Sequence, residues 1–215
     1  MGPGFESQPG HMKLFPKIIF YLMLGVGILM TFLPISWFPS FYDVRYSGWS
    51  MIGGALIILF VPLWLKVPTN YKDAKTKNKA IDILQFLIAL ALFTDVLGGL
   101  GLYELYNYGF PYSYILHLII PSIGVIILTK VINQRFDINI TWAALIAFML
   151  VLICGIGWEI YENLNDLFFN THLATASQTN TENTTKINLI QDTISASAGL
   201  IIILLKRILT VKPNA

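Results

Sequence analysis

Gly155–Asp166, GIGWEIYENLND, decides how this chain is read. It continues the apolar run Thr141–Cys154, TWAALIAFMLVLIC, and then places three acids within one short stretch. At about 100° per residue, Glu159, Glu162 and Asp166 share a narrow helical arc, stacked a turn apart. A carboxylate ladder at the end of a lipid-spanning helix is unfavourable unless it binds a cation, shares protons or stays wet. The ladder is therefore the first suspect for chemistry.

Composition supports the lipid-spanning part. Of 215 residues, 55% are hydrophobic and 12% charged, and mean hydropathy is +0.66. A soluble domain carries roughly 25% charged residues, so an integral membrane protein is indicated. The single cysteine, Cys154, rules out an intrachain disulfide and a thiolate cluster, and reads as a small buried hydrophobe. Nothing in the charge pattern suggests nucleic acid as a partner.

Working outward, six apolar segments reach the roughly 20 residues a bilayer crossing needs. They cover about 15–33, 48–65, 80–102, 112–132, 141–161 and 187–209. The expected fold is all-α, a polytopic six-transmembrane-helix bundle, with Pro121 and Gly124 kinking the fourth helix. Residues 1–11 read as an expression remnant before a natural start at Met12, 12–212 as one transmembrane domain, and 169–186 as a mobile polar loop. Lys66, Lys72, Lys75, Lys77 and Lys79 crowd the second-to-third connection, and Lys130, Arg135, Lys206, Arg207 and Lys212 fall on the same side. This bias predicts cytoplasmic N and C termini in a multi-pass cell-membrane protein, with a prokaryotic plasma membrane the expected location. Trp37, Phe38, Phe41, Tyr42 and Tyr46 read as an interfacial aromatic belt.

In that orientation the polar membrane residues gather at the outer ends of four consecutive helices. The third supplies Asp95, with Tyr103 and Glu104 after it. The fourth supplies His117, and the fifth supplies Glu159, Glu162 and Asp166. The sixth supplies Asn188, Asp192, Ser195 and Gly199 on one face. Asp95 and Glu104 can face one site only if the glycines at 98, 99 and 101 break the helix. Each residue has a plain alternative: Asp192 can complement a helix dipole, His117 can be a packing residue, and the tyrosines can be interfacial. The acid pair has none so simple. Two poorly hydrated carboxylates a turn apart should not both ionise at neutral pH without a cation, so the pair should hold a proton that metal binding releases.

The ligand inventory favours a divalent metal with oxygen donors, Mg²⁺, Mn²⁺ or Ca²⁺ ahead of Zn²⁺. His117, Glu159, Glu162 and Asp192 are the expected ligands, with Asp95 and Asp166 at the margin. Glu162 or His117 would act as general base. No GxSxG, Walker, HExxH or dinucleotide motif occurs. The function expected is a metal-dependent hydrolase or transferase acting on lipid or a lipid-linked substrate in the outer leaflet. The alternatives are a cation or proton-coupled transporter and a non-catalytic membrane module.

Three blocks, YSYILHLIIPSIG, GWEIYENLND and NLIQDTISASAG, resemble the YjdF-type family of small polytopic membrane proteins and, more distantly, the VanZ-like group. The likeness covers roughly Ala80 to Leu205. It implies importance for His117, Glu159, Glu162 and Asp192, and implies no particular activity. It departs from the family pattern at Ser113, where an aspartate is common, and at Ser195 or Ser197, where a second acid is common.

Overall fold

The computed structural model describes residues 13–37, 44–66, 74–169 and 181–210. Six helices, α1 (Leu14–Phe32), α2 (Val44–Leu65), α3 (Ala74–Gly99), α4 (Tyr112–Phe136), α5 (Ile140–Phe169) and α6 (Thr181–Thr210), account for nearly all of them. All six are long and apolar enough to cross a membrane, and no strand occurs among the described residues. The chain is thus an all-α six-helix membrane bundle.

The helices α5 and α6 extend past the apolar runs, to Phe169 and back to Thr181. Hydropathy locates the hydrocarbon-spanning part, whereas helical hydrogen bonding continues through Glu162, Asn163 and Asp166 once the chain reaches a wetter zone. Residues 170–180 of the expected polar loop lie outside the described residues, as do 38–43, which hold much of the aromatic belt.

Packing divides the bundle into two halves. In the first, α1 lies close on α2 where Gly27 and Gly48 meet: a β-carbon on Gly27 would stand 2.8 Å from the Gly48 carbonyl oxygen. Met23, Met30, Met51 and Ile58 fill the seam, with Ala89 of α3 against them. In the second, α4 packs against both α5 and α6, around Val125, Ala143, Ala144, Ala147 and Ala196. Alanine there lets backbones approach, which is what drives association in lipid. The link between halves is the α3–α4 contact. A second bridge runs from Tyr46 and Ser50 of α2 to the Tyr161 hydroxyl of α5, so Tyr46 serves packing between helices as well as the interface.

The two ends of the bundle differ in charge. At one end α1 begins, α2 and α4 finish and α6 terminates, gathering Lys13, Lys66, Lys79, Lys130, Arg135, Lys206 and Arg207. There Asp82 of α3 lies 2.8 Å from the Lys66 ammonium and 3.7 Å from that of Lys13. Gln85, fully buried, donates to the Ile58 carbonyl at 2.9 Å and ties α3 to α2. At the other end Arg45 reaches the Met30 and Thr31 carbonyls, which terminate α1. Cations at a helix C-terminus satisfy its orphan carbonyls.

Candidate functional site

The fourth helix carries a proline, Pro121, where the site begins. Pro121 lacks an amide hydrogen, which leaves the His117 carbonyl without its usual helical donor. The Ser195 hydroxyl of α6 reaches the helix backbone beside the proline. It donates to the Leu118 carbonyl at 2.6 Å and accepts from the Ser122 amide at 3.0 Å. Gly199, one turn further along α6, allows this approach, since a β-carbon there would stand 2.6 Å from the Ser122 carbonyl oxygen. Ser195 is 3% exposed and fully engaged, so it is a fastener rather than the nucleophile a serine at this position can suggest.

This fastening sets the register of α4 against α6 and brings His117 to Asp192, Nδ1 to Oδ1 2.9 Å. The other carboxylate oxygen of Asp192 points at α5, where Gly155 leaves room: a β-carbon at 155 would sit 2.9 Å from Oδ2. An imidazole whose Nδ1 is held by a carboxylate keeps Nε2 for other work, and the carboxylate stabilises the imidazolium when it forms.

Two further acids are held by aromatic donors. The α3 helix ends at Gly99, Gly101 adopts φ +124°, and a short 3-10 turn over Leu102–Tyr108 carries the chain back. The glycines do break the helix. The residue returned to Asp95 is Tyr103, whose hydroxyl donates to Oδ1 at 2.7 Å. Gly98 makes that return possible, because a β-carbon would overlap the Tyr103 ring. Burial, then the neighbouring Asp95, holds the Tyr103 phenol well above its usual range, so it remains a donor. On α5, Trp158 donates from Nε1 to Glu162 Oε1 at 2.8 Å, one turn away.

These groups surround one end of a cavity of about 470 Å³ between α3, α4, α5 and α6. Asp95, Tyr103, Ser113, His117, Glu162 and Asp192 line that end; Leu84, Leu87, Ile88 and Leu128 line the other. Cys154 is exposed and belongs to this wall, which corrects its reading as a buried hydrophobe. An apolar run does not distinguish a core-facing position from one facing lipid or a cavity.

The carboxylate ladder, read as one unit, is divided by the structure. Glu162 faces the cavity, while Glu159, 2% exposed, lies against α6 beside Asn188 and Thr185. Asp166 stands one turn past Glu162 and is absent from the cavity wall. Three-residue spacing leaves about 60° between side chains, enough for α6 to cover one acid and not the other. Among the described residues no three His, Cys, Asp or Glu side chains converge as a metal site would require, so the divalent-metal expectation gains no support. The sequence reading left Trp158 and Ser113 without a role. The signal for Trp158 was its position one turn before Glu162.

Residues 20–209 match the family model described as "Predicted membrane protein (DUF2238)". The chain belongs to this family. The matched span includes all six helices apart from the first turns of α1 and the last residue of α6. Comparison with curated proteins and with solved structures gives no match.

Proposed function

We propose that this member of the family binds an amphiphile, with its hydrocarbon part along the leucine-lined wall and its headgroup at His117–Asp192, and performs acid–base chemistry on that headgroup. The carrying observation is the placement of an oriented imidazole–carboxylate pair in the wall of a cavity that is otherwise apolar over most of its length. Imidazole Nε2 takes a proton from water or from a hydroxyl nucleophile and returns it to the leaving group, which describes a hydrolase or transferase. Ser113, one helical turn before His117 and in the same wall, offers a hydroxyl at hand. An ion pathway is less well supported, because the leucine end of the cavity offers no polar relay.

The lysine-rich end supports a cytoplasmic placement of both termini, and hence a site opening toward the outer leaflet. The YjdF-type likeness of Ala80 to Leu205 falls within the matched span and adds positions rather than an activity.

Cys154, the chain's sole cysteine, provides the test of occupancy. Alkylation of Cys154 by a maleimide in lipid nanodiscs should slow several-fold when phosphatidylglycerol or a polyprenyl phosphate is added. Turnover of the protecting lipid, followed by mass spectrometry, should disappear in His117→Ala. Protection without turnover in wild type would leave a binding protein and overturn the catalytic part. Absence of protection by either lipid would overturn the whole reading.

A further inference from the structure

A second polar centre lies outside the cavity chemistry, at the α5–α6 interface. Glu159 is 2% exposed, and neither of its carboxylate oxygens makes a well-formed hydrogen bond, its polar neighbours being the Asn188 and Thr185 side chains of α6. Asn188 of α6, 4% exposed, lies beside this carboxylate, and its Oδ1 is likewise without a partner. Thr185, one turn earlier on α6, also borders the carboxylate. Its hydroxyl oxygen accepts from the Asn163 Nδ2 at 3.1 Å and keeps a second lone pair. Two adjacent buried side chains, one of them a carboxylate, thus carry acceptor oxygens that lack a well-formed hydrogen bond. Such orphaned acceptors are rare in native structures and mark an ion or a functional group.

We infer that Glu159, Asn188 and Thr185 hold a monovalent alkali cation, Na⁺ by preference, clamping the outer turns of α5 and α6. The donors are all hard oxygens, which suit an alkali or alkaline-earth ion and not a soft metal. Charge selects between those two classes. One carboxylate with neutral amide and hydroxyl oxygens balances a single positive charge. A divalent ion would leave an excess charge in a poorly hydrated site. Of the neighbouring acids, Asp192 is engaged with His117, and Glu162 accepts from the Trp158 indole and faces the cavity. The cation's donor set, with two neutral oxygens, differs from the His and carboxylate set expected from sequence. Because Asn188 also touches the cavity, the cation would adjoin the amphiphile site without belonging to it.

Thermal unfolding of the detergent-purified full chain, at constant ionic strength with choline as the replacement cation, tests the assignment. Wild type should gain about 4 °C or more as NaCl replaces choline chloride, along a saturating curve. Glu159→Gln, a near-isostere, should show no Na⁺-dependent gain, and Asn188→Ala should need roughly ten-fold more Na⁺. Equilibrium binding of ²²Na⁺ to wild type, one ion per chain and absent in Glu159→Gln, gives the same answer if a variant unfolds too early to be compared. Equal curves in Na⁺ and choline would overturn the proposal and indicate that Glu159 carries a proton instead. A gain with Ca²⁺ or Mg²⁺ and none with Na⁺ would overturn the monovalent assignment. His117→Ala should keep the Na⁺ response, so failure of the amphiphile chemistry and failure of the cation site are separable.

Discussion

Acids occur at both ends of the bundle, and the two ends treat them differently. Asp82 stands between Lys66 and Lys13, so its charge is neutralised by permanent cations and ties three helices together. Asp95, Glu162 and Asp192 take their hydrogen bonds from Tyr103, Trp158 and His117 instead. A lysine partner fixes a carboxylate as ionised. A phenol, an indole or an imidazole satisfies a lone pair while leaving proton number and ligand binding adjustable. The first arrangement builds a scaffold, and the second leaves a site that can change state.

The largest effect that would sharpen this contrast is catalytic. His117→Ala should lower turnover of the protecting lipid by about 10²–10⁴-fold, the usual contribution of a general base, with little change in thermal midpoint. Equal losses of activity and stability would break the comparison by showing that His117 is scaffold. Next comes the lysine end. Lys66→Met should lower stability by about 1–3 kcal/mol, between the exposed and fully buried ranges for ion pairs. Lipid turnover should survive it, and Asp82→Asn added to Lys66→Met should recover part of the loss. Denaturant titration of the single and double variants checks both points.

Ser195→Ala is expected to cost about 1–2 kcal/mol, the upper range for an interhelical hydrogen bond in a membrane. It should also weaken turnover by displacing His117. The smallest effect concerns Tyr103→Phe, expected at about 0.5–1.5 kcal/mol. The sign of its pH dependence follows from the raised phenol. Below about pH 10 the hydroxyl is protonated in both folded and unfolded chains and contributes no slope. Above it the unfolded chain ionises first, so wild type loses stability with rising pH, and Tyr103→Phe should lack that part of the decline.

The helices were legible because lipid imposes a single demand, a long apolar run with its backbone bonded internally. The polar level at one end of the bundle was legible for the same reason, since Asp95, His117, Glu162 and Asp192 are conspicuous where charge is unfavourable. What could not be read was pairing. Whether Glu159 turns to α6 or to the cavity depends on about 60° of helix rotation, which no single-chain periodicity fixes. The return of Tyr103 to Asp95 depends on Gly101 at φ +124° and on the short turn after it. Cys154 was misread because an apolar segment has more than one exposed side in a membrane.

The hydroxyl of Ser195, bonded to the backbone of the fourth helix, carries a consequence for how the protein is made. Helix α4 leaves the ribosome long before α6, so until α6 arrives the Leu118 carbonyl and the Ser122 amide lack the Ser195 hydroxyl that joins them in the folded chain. The final helix to be synthesised therefore completes an earlier one, and in the same event delivers Asp192 to His117. A chain truncated before Asp192 would insert five helices and yet contain no site. A protein built this way brings its imidazole–carboxylate pair together only once its last helix is in place.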